Sequence, residues 1–184
     1  VSCLCFYSFA QVQEKGKFFD LINLERHQFK FDLLSPGISY ELGIFKNVTT
    51  SGGLGLGYAT YQEGYAIGLT LHTRVRYYHN LNRRINSSKN VSGNSGNYIA
   101  AARSIFFSPL RLATNIEGPD DFNIGFYGVT YGIQRTYENG FNFDAELGAG
   151  YYVGDGVPSG YGPLFNFKFG WVATKRKSKK IQYQ

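Results

Sequence analysis

Two carboxylates stand two residues apart at Asp144 and Glu146, and three basic side chains keep the same spacing at His72, Arg74 and Arg76. Residues two apart share one face of a β-strand, so each set points one way if its segment is extended. Asp32, Glu41, Arg103 and Lys168 fall in the polar phase of their own segments. Such a face could carry acid–base catalysis, line a charge-selective pore, or close on itself as an ion-pair network. Catalysis needs a cleft and a positioned substrate, and no feature of the sequence supplies either. Four acids against four bases, with His72 beside them, favour the network, because charges withdrawn from water must pair or be lost. No catalytic residue is assigned, and the chain is not expected to be an enzyme.

Other chemistries have little to build on. The three histidines, His27, His72 and His79, do not stand at metal-ligand spacing. The runs Gly53, Gly55, Gly57 and Gly148, Gly150 lack the helix that a phosphate-binding loop requires. Neither a metal nor a cofactor is expected. The net charge of +6 is concentrated in Lys175, Arg176, Lys177, Lys179 and Lys180, leaving the rest near neutral. No basic stripe interleaved with aromatics runs along an element, so nucleic acid is not an expected partner.

The elements that must hold the charged face are strands. From Phe141 to Val153 and again from Tyr161 to Trp171, large apolar residues alternate with Gly, Asn, Asp, Glu and Lys. Extended along the chain, the alternation gives eight segments: 29–35, 38–46, 51–61, 65–78, 98–107, 123–137 and the two just described. Asn139-Gly140 is a hairpin turn signal, Ser35-Pro36-Gly37 another stop. The stretches 79–97 and 108–122, rich in turn residues, read as loops. A charged fraction of 17% is low for a soluble domain, yet no apolar run approaches the length of a membrane-spanning helix. One continuous aromatic wall opposite a wall of glycine and charge is the pattern of a transmembrane β-barrel. The expected fold is therefore all-β, an eight-stranded antiparallel up-and-down transmembrane β-barrel over residues 29–174. Its interior is just wide enough for side chains to fill.

Aromatics near the strand ends, Tyr58, Tyr65, Tyr77, Tyr137, Tyr151, Tyr161 and Trp171, read as two girdles at the membrane–water interfaces. Tyr61, Tyr78, Phe141 and Tyr152 are placed with them. Residues 1–10 are apolar and end in Ser8-Phe9-Ala10, which fits a secretory cleavage site and reads as a truncated signal peptide. Residues 11–28 would then be an N-terminal periplasmic segment and residues 175–184 a basic tail. Strand parity puts 46–50, 79–97 and 138–140 at the periplasmic end.

These features resemble the small eight-stranded outer-membrane barrels of Gram-negative bacteria, the class of the outer-membrane protein A transmembrane domain. The resemblance rests on the export segment ending Ser8-Phe9-Ala10-Gln11, on Leu33-Leu34-Ser35-Pro36, and on Tyr40-Glu41-Leu42-Gly43. Leu147-Gly148-Ala149-Gly150-Tyr151 through Gly162-Pro163 adds to it. It implies an integral protein of the bacterial outer membrane, monomeric, contacting membrane lipids and possessing loops able to bind a surface ligand. The implied role is structural or surface-interacting, with the lumen closed by ion pairs. A narrow pore is the alternative, as is a soluble lipocalin-like small-molecule-binding barrel in the periplasm, which would bury the aromatic phase inside.

Overall fold

The computed structural model describes residues 24–61, 64–114, 123–155 and 158–174. The signal-like segment, most of the stretch preceding the first strand and the basic tail lie outside these residues.

Eight strands form: β1 (His27–Asp32), β2 (Gly37–Phe45), β3 (Val48–Tyr61), β4 (Gly64–Tyr78), β5 (Gly96–Thr114), β6 (Asn123–Thr136), β7 (Phe141–Asp155) and β8 (Gly160–Val172). Each is antiparallel to its neighbour in sequence, and β1 pairs with β8 to close the ring. A single short helix, α1 (Leu81–Asn86), interrupts the all-β pattern among the described residues. It is far too short to cross a membrane, which leaves open a crossing by strands. The β6–β7 turn is the Asn139-Gly140 signal realised: Gly140 takes φ +89°, a conformation that disfavours any side chain.

The period of two sorts the side chains cleanly. On β7, Asn142, Asp144 and Glu146 are buried while Leu147, Tyr151 and Val153 are exposed. On β8, Tyr161 is 89% and Phe165 75% exposed, with Asn166 and Lys168 in the opposite phase. The aromatic phase faces outward around the whole ring, and the polar phase fills the interior. Small apolar clusters supplement it: Leu24, Tyr78, Leu81, Tyr98 and Ala100 at one end, and Ala66 with Phe106 toward the other.

Two stretches expected to be loops are partly ordered into elements. Strand β5 runs past Phe107 to Thr114 because Ser108–Leu110 bulge out of the ladder. Leu69 pairs with Phe107 while Gly68, its neighbour, pairs with Arg111. Pro109 has no N–H to give a ladder and is accommodated in such a bulge. Within 79–97, Leu81 is fully buried and anchors α1 against β5, and the Asn97 N–H donates to Asn80 Oδ1 at 2.7 Å.

The wall is not of even height. Gly37 at the start of β2 pairs with Gly55, and Asp32 at the end of β1 pairs with Gly170. Leu56 N–H to Pro36 C=O and Leu33 N–H to Phe169 C=O carry the backbone hydrogen bonding one step further. Residues 57–61 of β3 and 160–168 of β8 therefore rise beyond the β1–β2 hairpin, with no strand beside them on that side among the described residues.

Candidate functional site in the ring interior

The midsection of the interior is an ion-pair network assembled from five strands. Arg76 on β4 is its hub: Nη2 lies 2.8 Å from Asp144 Oδ2 and 3.5 Å from Glu146 Oε1, both on β7. Its Nη1 donates to Gln134 Oε1 on β6 at 2.8 Å and stands 3.7 Å from Glu41 Oε2 on β2. The guanidinium also lies 4.5 Å from the centre of the Tyr98 ring, a cation–π contact. Arg74, one inward position further along β4, pairs through Nε with Glu146 Oε2 at 3.1 Å. Lys30 on β1 donates to Glu41 Oε2 at 2.6 Å and to Gln134 Oε1 at 2.9 Å. All these side chains are at most 7% exposed.

Neutral donors complete the acceptors. Glu41 Oε1 receives hydrogen bonds from Thr49 Oγ1, Tyr78 Oη and Asn94 Nδ2 at 2.8–2.9 Å. Tyr98 Oη reaches Asp144 Oδ1 at 2.5 Å, and Asn166 Nδ2 donates to Glu146 Oε2 at 2.9 Å. Saturation of this kind is what makes buried charge tolerable: attraction offsets lost hydration only when the remaining lone pairs are also satisfied.

One end is plugged by the chain between α1 and β5. Asn94 is fully buried and bridges Glu41 to the Glu25 N–H, which donates to its Oδ1 at 2.7 Å. Gly93, at φ +62°, donates its N–H to Glu25 Oε1 and accepts from Gln134 Nε2 and Thr136 Oγ1 through its carbonyl. A Cβ here would lie 2.6 Å from Thr136, so only glycine fits. Ser95 Oγ accepts from the Thr136 N–H at 2.8 Å.

The other end is open among the described residues. A cavity of about 730 Å³ occupies it. Its floor carries Asp32, His72, Arg74 and Lys168, and its walls include Leu56, Phe106, Phe126 and Leu164. Lys168 Nζ donates to His72 Nε2 at 2.6 Å and lies 3.5 Å from Asp32 Oδ2.

Eight of the nine charged residues singled out in the sequence therefore point inward: Asp32, Glu41, His72, Arg74, Arg76, Asp144, Glu146 and Lys168. Arg103 does not. It is exposed on the outer face, its guanidinium 5.5 Å from the Tyr127 ring centre. Its strand carries Ala100, Ala101 and Ala102 on both phases, so size gives no alternation there and charge alone misassigns the face. Lys30 takes its place in the interior and restores the balance of four acids and four bases. Its signal was available, since it sits two residues before Asp32 in the polar phase of β1. Lys168 is opposite Asp144 in the ladder, yet it meets His72 and Asp32 while Arg76 and Arg74 hold Asp144 and Glu146.

The outer aromatics gather at both ends. Tyr58 stacks on Tyr65 at 5.8 Å and Tyr151 meets Tyr161 edge-on at 5.0 Å toward the open end. Tyr137, Phe141 and Trp171 associate at 5.8 Å toward the plugged end, where Tyr77 is also exposed. Tyr78 and Tyr152 are corrections to the expected girdle. Tyr78 is fully buried against the network, and Tyr152 turns inward against Phe126 at 4.9 Å. Both are the second of a Tyr-Tyr pair, where only one ring can face out. The Tyr61 side chain lies outside the described residues.

Among the described residues no three His, Cys, Asp or Glu side chains converge as a metal site. The arrangement can hold charge in place and, above its floor, enclose a ligand. Comparison with known proteins gives no matching family model, no matching curated protein and no matching solved structure.

Proposed function

We propose that the chain is an integral outer-membrane β-barrel with a structural or surface-interaction role, its lumen sealed by the network around Arg76. The observation that carries this reading is the inversion of the ordinary polarity of a folded protein. Large apolar side chains, among them Leu54, Val75, Val129, Leu147 and Phe165, are exposed around the ring while Glu41, Arg74, Arg76, Asp144 and Glu146 are buried. A protein in water rarely presents apolar surface on that scale, whereas an outward apolar band flanked by aromatic girdles suits a bilayer. A soluble lipocalin-like barrel would need the aromatic phase inside. A narrow pore would need a continuous water path, and Asn94, Glu41 and Arg76 stand across it.

Folding into lipid vesicles decides the matter. The expected result is a form that runs anomalously on an unboiled gel, collapses to normal mobility on boiling, and stays with the membrane through a carbonate wash. Protein that carbonate releases, and that remains monodisperse without detergent, would overturn the reading.

A further inference from the structure

We infer that the open cavity is a binding site for an anionic single-chain amphiphile, a long-chain carboxylate, which reaches it sideways from the bilayer through the gap above the β1–β2 hairpin. The inference rests on the membrane reading for its lateral route.

The gap follows from the register. Along β3 the wall, among the described residues, lacks a neighbour from Gly57 to Tyr61, roughly 17 Å of strand at about 3.3 Å per residue. On β8 the free edge runs from Lys168 to Gly160. The cavity is continuous with this gap, since its lining includes residues of both phases of β8, Leu164 and Asn166 from inside and Phe165 and Phe167 from outside. Leu34 and Ser35 form the sill, where the Ser35 hydroxyl donates to the Leu56 carbonyl. On the β8 side, Tyr161 of the girdle lies beyond Phe165 and Phe167, so the gap begins below the aromatic belt. Backbone off the ladder at bilayer depth is tolerated where it is buried in protein or lines a water-filled cavity.

The cavity also has the polarity of an amphiphile. Its volume lies within the range of small-molecule sites. The walls are apolar at Leu56, Ala59, Phe106, Phe126 and Leu164, and the charged groups collect on the floor. Of the floor charges, Lys168 is the most accessible, at 12% side-chain exposure against 3% for Arg74 and 5% for Asp32. Its Nζ lies 2.6 Å from His72 Nε2 and 3.5 Å from Asp32 Oδ2, so an ammonium with three N–H donors keeps at least one to meet a carboxylate. Thr70 Oγ1, buried on the same wall, has no hydrogen-bond partner among the described residues and supplies a second polar contact.

The test uses the full chain folded in lipid nanodiscs, with folding read independently by the gel-mobility shift. Radiolabelled laurate, dodecanol and dodecylamine are compared for retention after gel filtration, with empty nanodiscs as the baseline. Laurate should exceed dodecylamine by about ten-fold, the scale of one charge-assisted hydrogen bond. Leu164→Trp, which fills the cavity without touching an ion pair, should abolish retention. Lys168→Gln should remove the preference of laurate over dodecanol. A phospholipid carrying a diazirine in its acyl chain should label the inward Phe106 as well as outward residues, because its headgroup cannot leave the leaflet. Equal retention of all three probes, or unchanged retention in Leu164→Trp, overturns the site. Labelling confined to outward residues overturns the lateral route. Failure to fold into the bilayer instead refutes the membrane reading.

Discussion

Replacing Arg76 by alanine is the most revealing single perturbation, because it removes the hub and leaves its partners in place. Asp144 loses its 2.8 Å partner, Glu146 keeps Arg74 alone, and Glu41 is left with Lys30 as its charged neighbour. Breaking a buried pair by deleting one member costs about 3–5 kcal/mol, chiefly the uncompensated charge that remains. The 7% exposure of the Arg76 side chain means that solvent screens little of this. About 4 kcal/mol is roughly a thousand-fold in the folding equilibrium. Arg103→Ala is the matched control, the same chemistry on the outer phase. In a bilayer a lipid-facing arginine is costly by about 2–4 kcal/mol at the midplane and little near the interfaces. Its removal should then leave stability unchanged or raise it, set against a cation–π contact with Tyr127 worth about 0.5–1 kcal/mol at an exposed site. Equilibrium urea unfolding from phosphatidylcholine vesicles, followed by the gel-mobility shift, measures both. A loss under about 1 kcal/mol for Arg76→Ala, or a larger loss for Arg103→Ala than for Arg76→Ala, would refute the assignment of phases and the network built on it.

Three further outcomes follow from the same geometry. Gly93→Val strains a backbone at φ +62° and collides with Thr136, so it should cost about 1–3 kcal/mol and raise tryptic cleavage at Lys89, next to the loosened plug; unchanged cleavage would count against the plug. Trp171, the single tryptophan, is half-exposed on the outer face near one end. Its fluorescence should be quenched more by lipids brominated near the headgroup than near the chain terminus, and the reverse order would remove it from an interfacial girdle. The wild-type chain should show no steady conductance in planar bilayers, whereas Asn94→Ala, which cuts the bridge between Glu41 and Glu25, should give transient openings; steady wild-type current would favour the pore.

Where alternation is carried by side chains of very different size, the sequence reads almost directly as structure. Phe143, Ala145 and Leu147 against Asp144 and Glu146 could face only one way once one face was known to be apolar. Legibility fails where the two phases are alike in size, as at Ala100–Ala102, and Arg103 was placed inside for want of any other cue. It fails again where the backbone leaves the ladder, since the bulge at Ser108–Leu110 hides a strand behind a proline. The plug was the least visible part. Asn94 and Glu25 are 69 residues apart, and neither polar loop residue nor N-terminal acid announces that it will be buried. Only Leu81, Ile85 and Val91 hinted that 79–97 held an apolar side. The unequal strand lengths that open the wall were legible only in outline: the short first segment before Pro36 was evident, but its consequence depends on pairings with Gly55 and Gly170.

The seam between β1 and β8 has a kinetic meaning. Lys30 finds Gln134, 104 residues away, only when the first strand has been brought to the last. Until the sheet curls round, Asp144 and Glu146 on β7 lack Arg76 and Arg74 of β4, and these carboxylates remain better served by water than by an unfinished protein. An open sheet thus gains little from advancing into hydrocarbon alone. Non-local closure makes such topologies slow, and here it also makes the last step the one that neutralises the inside. On the membrane reading, insertion and closure should accordingly proceed as one concerted event, with the charges acting as a checkpoint against half-closed intermediates.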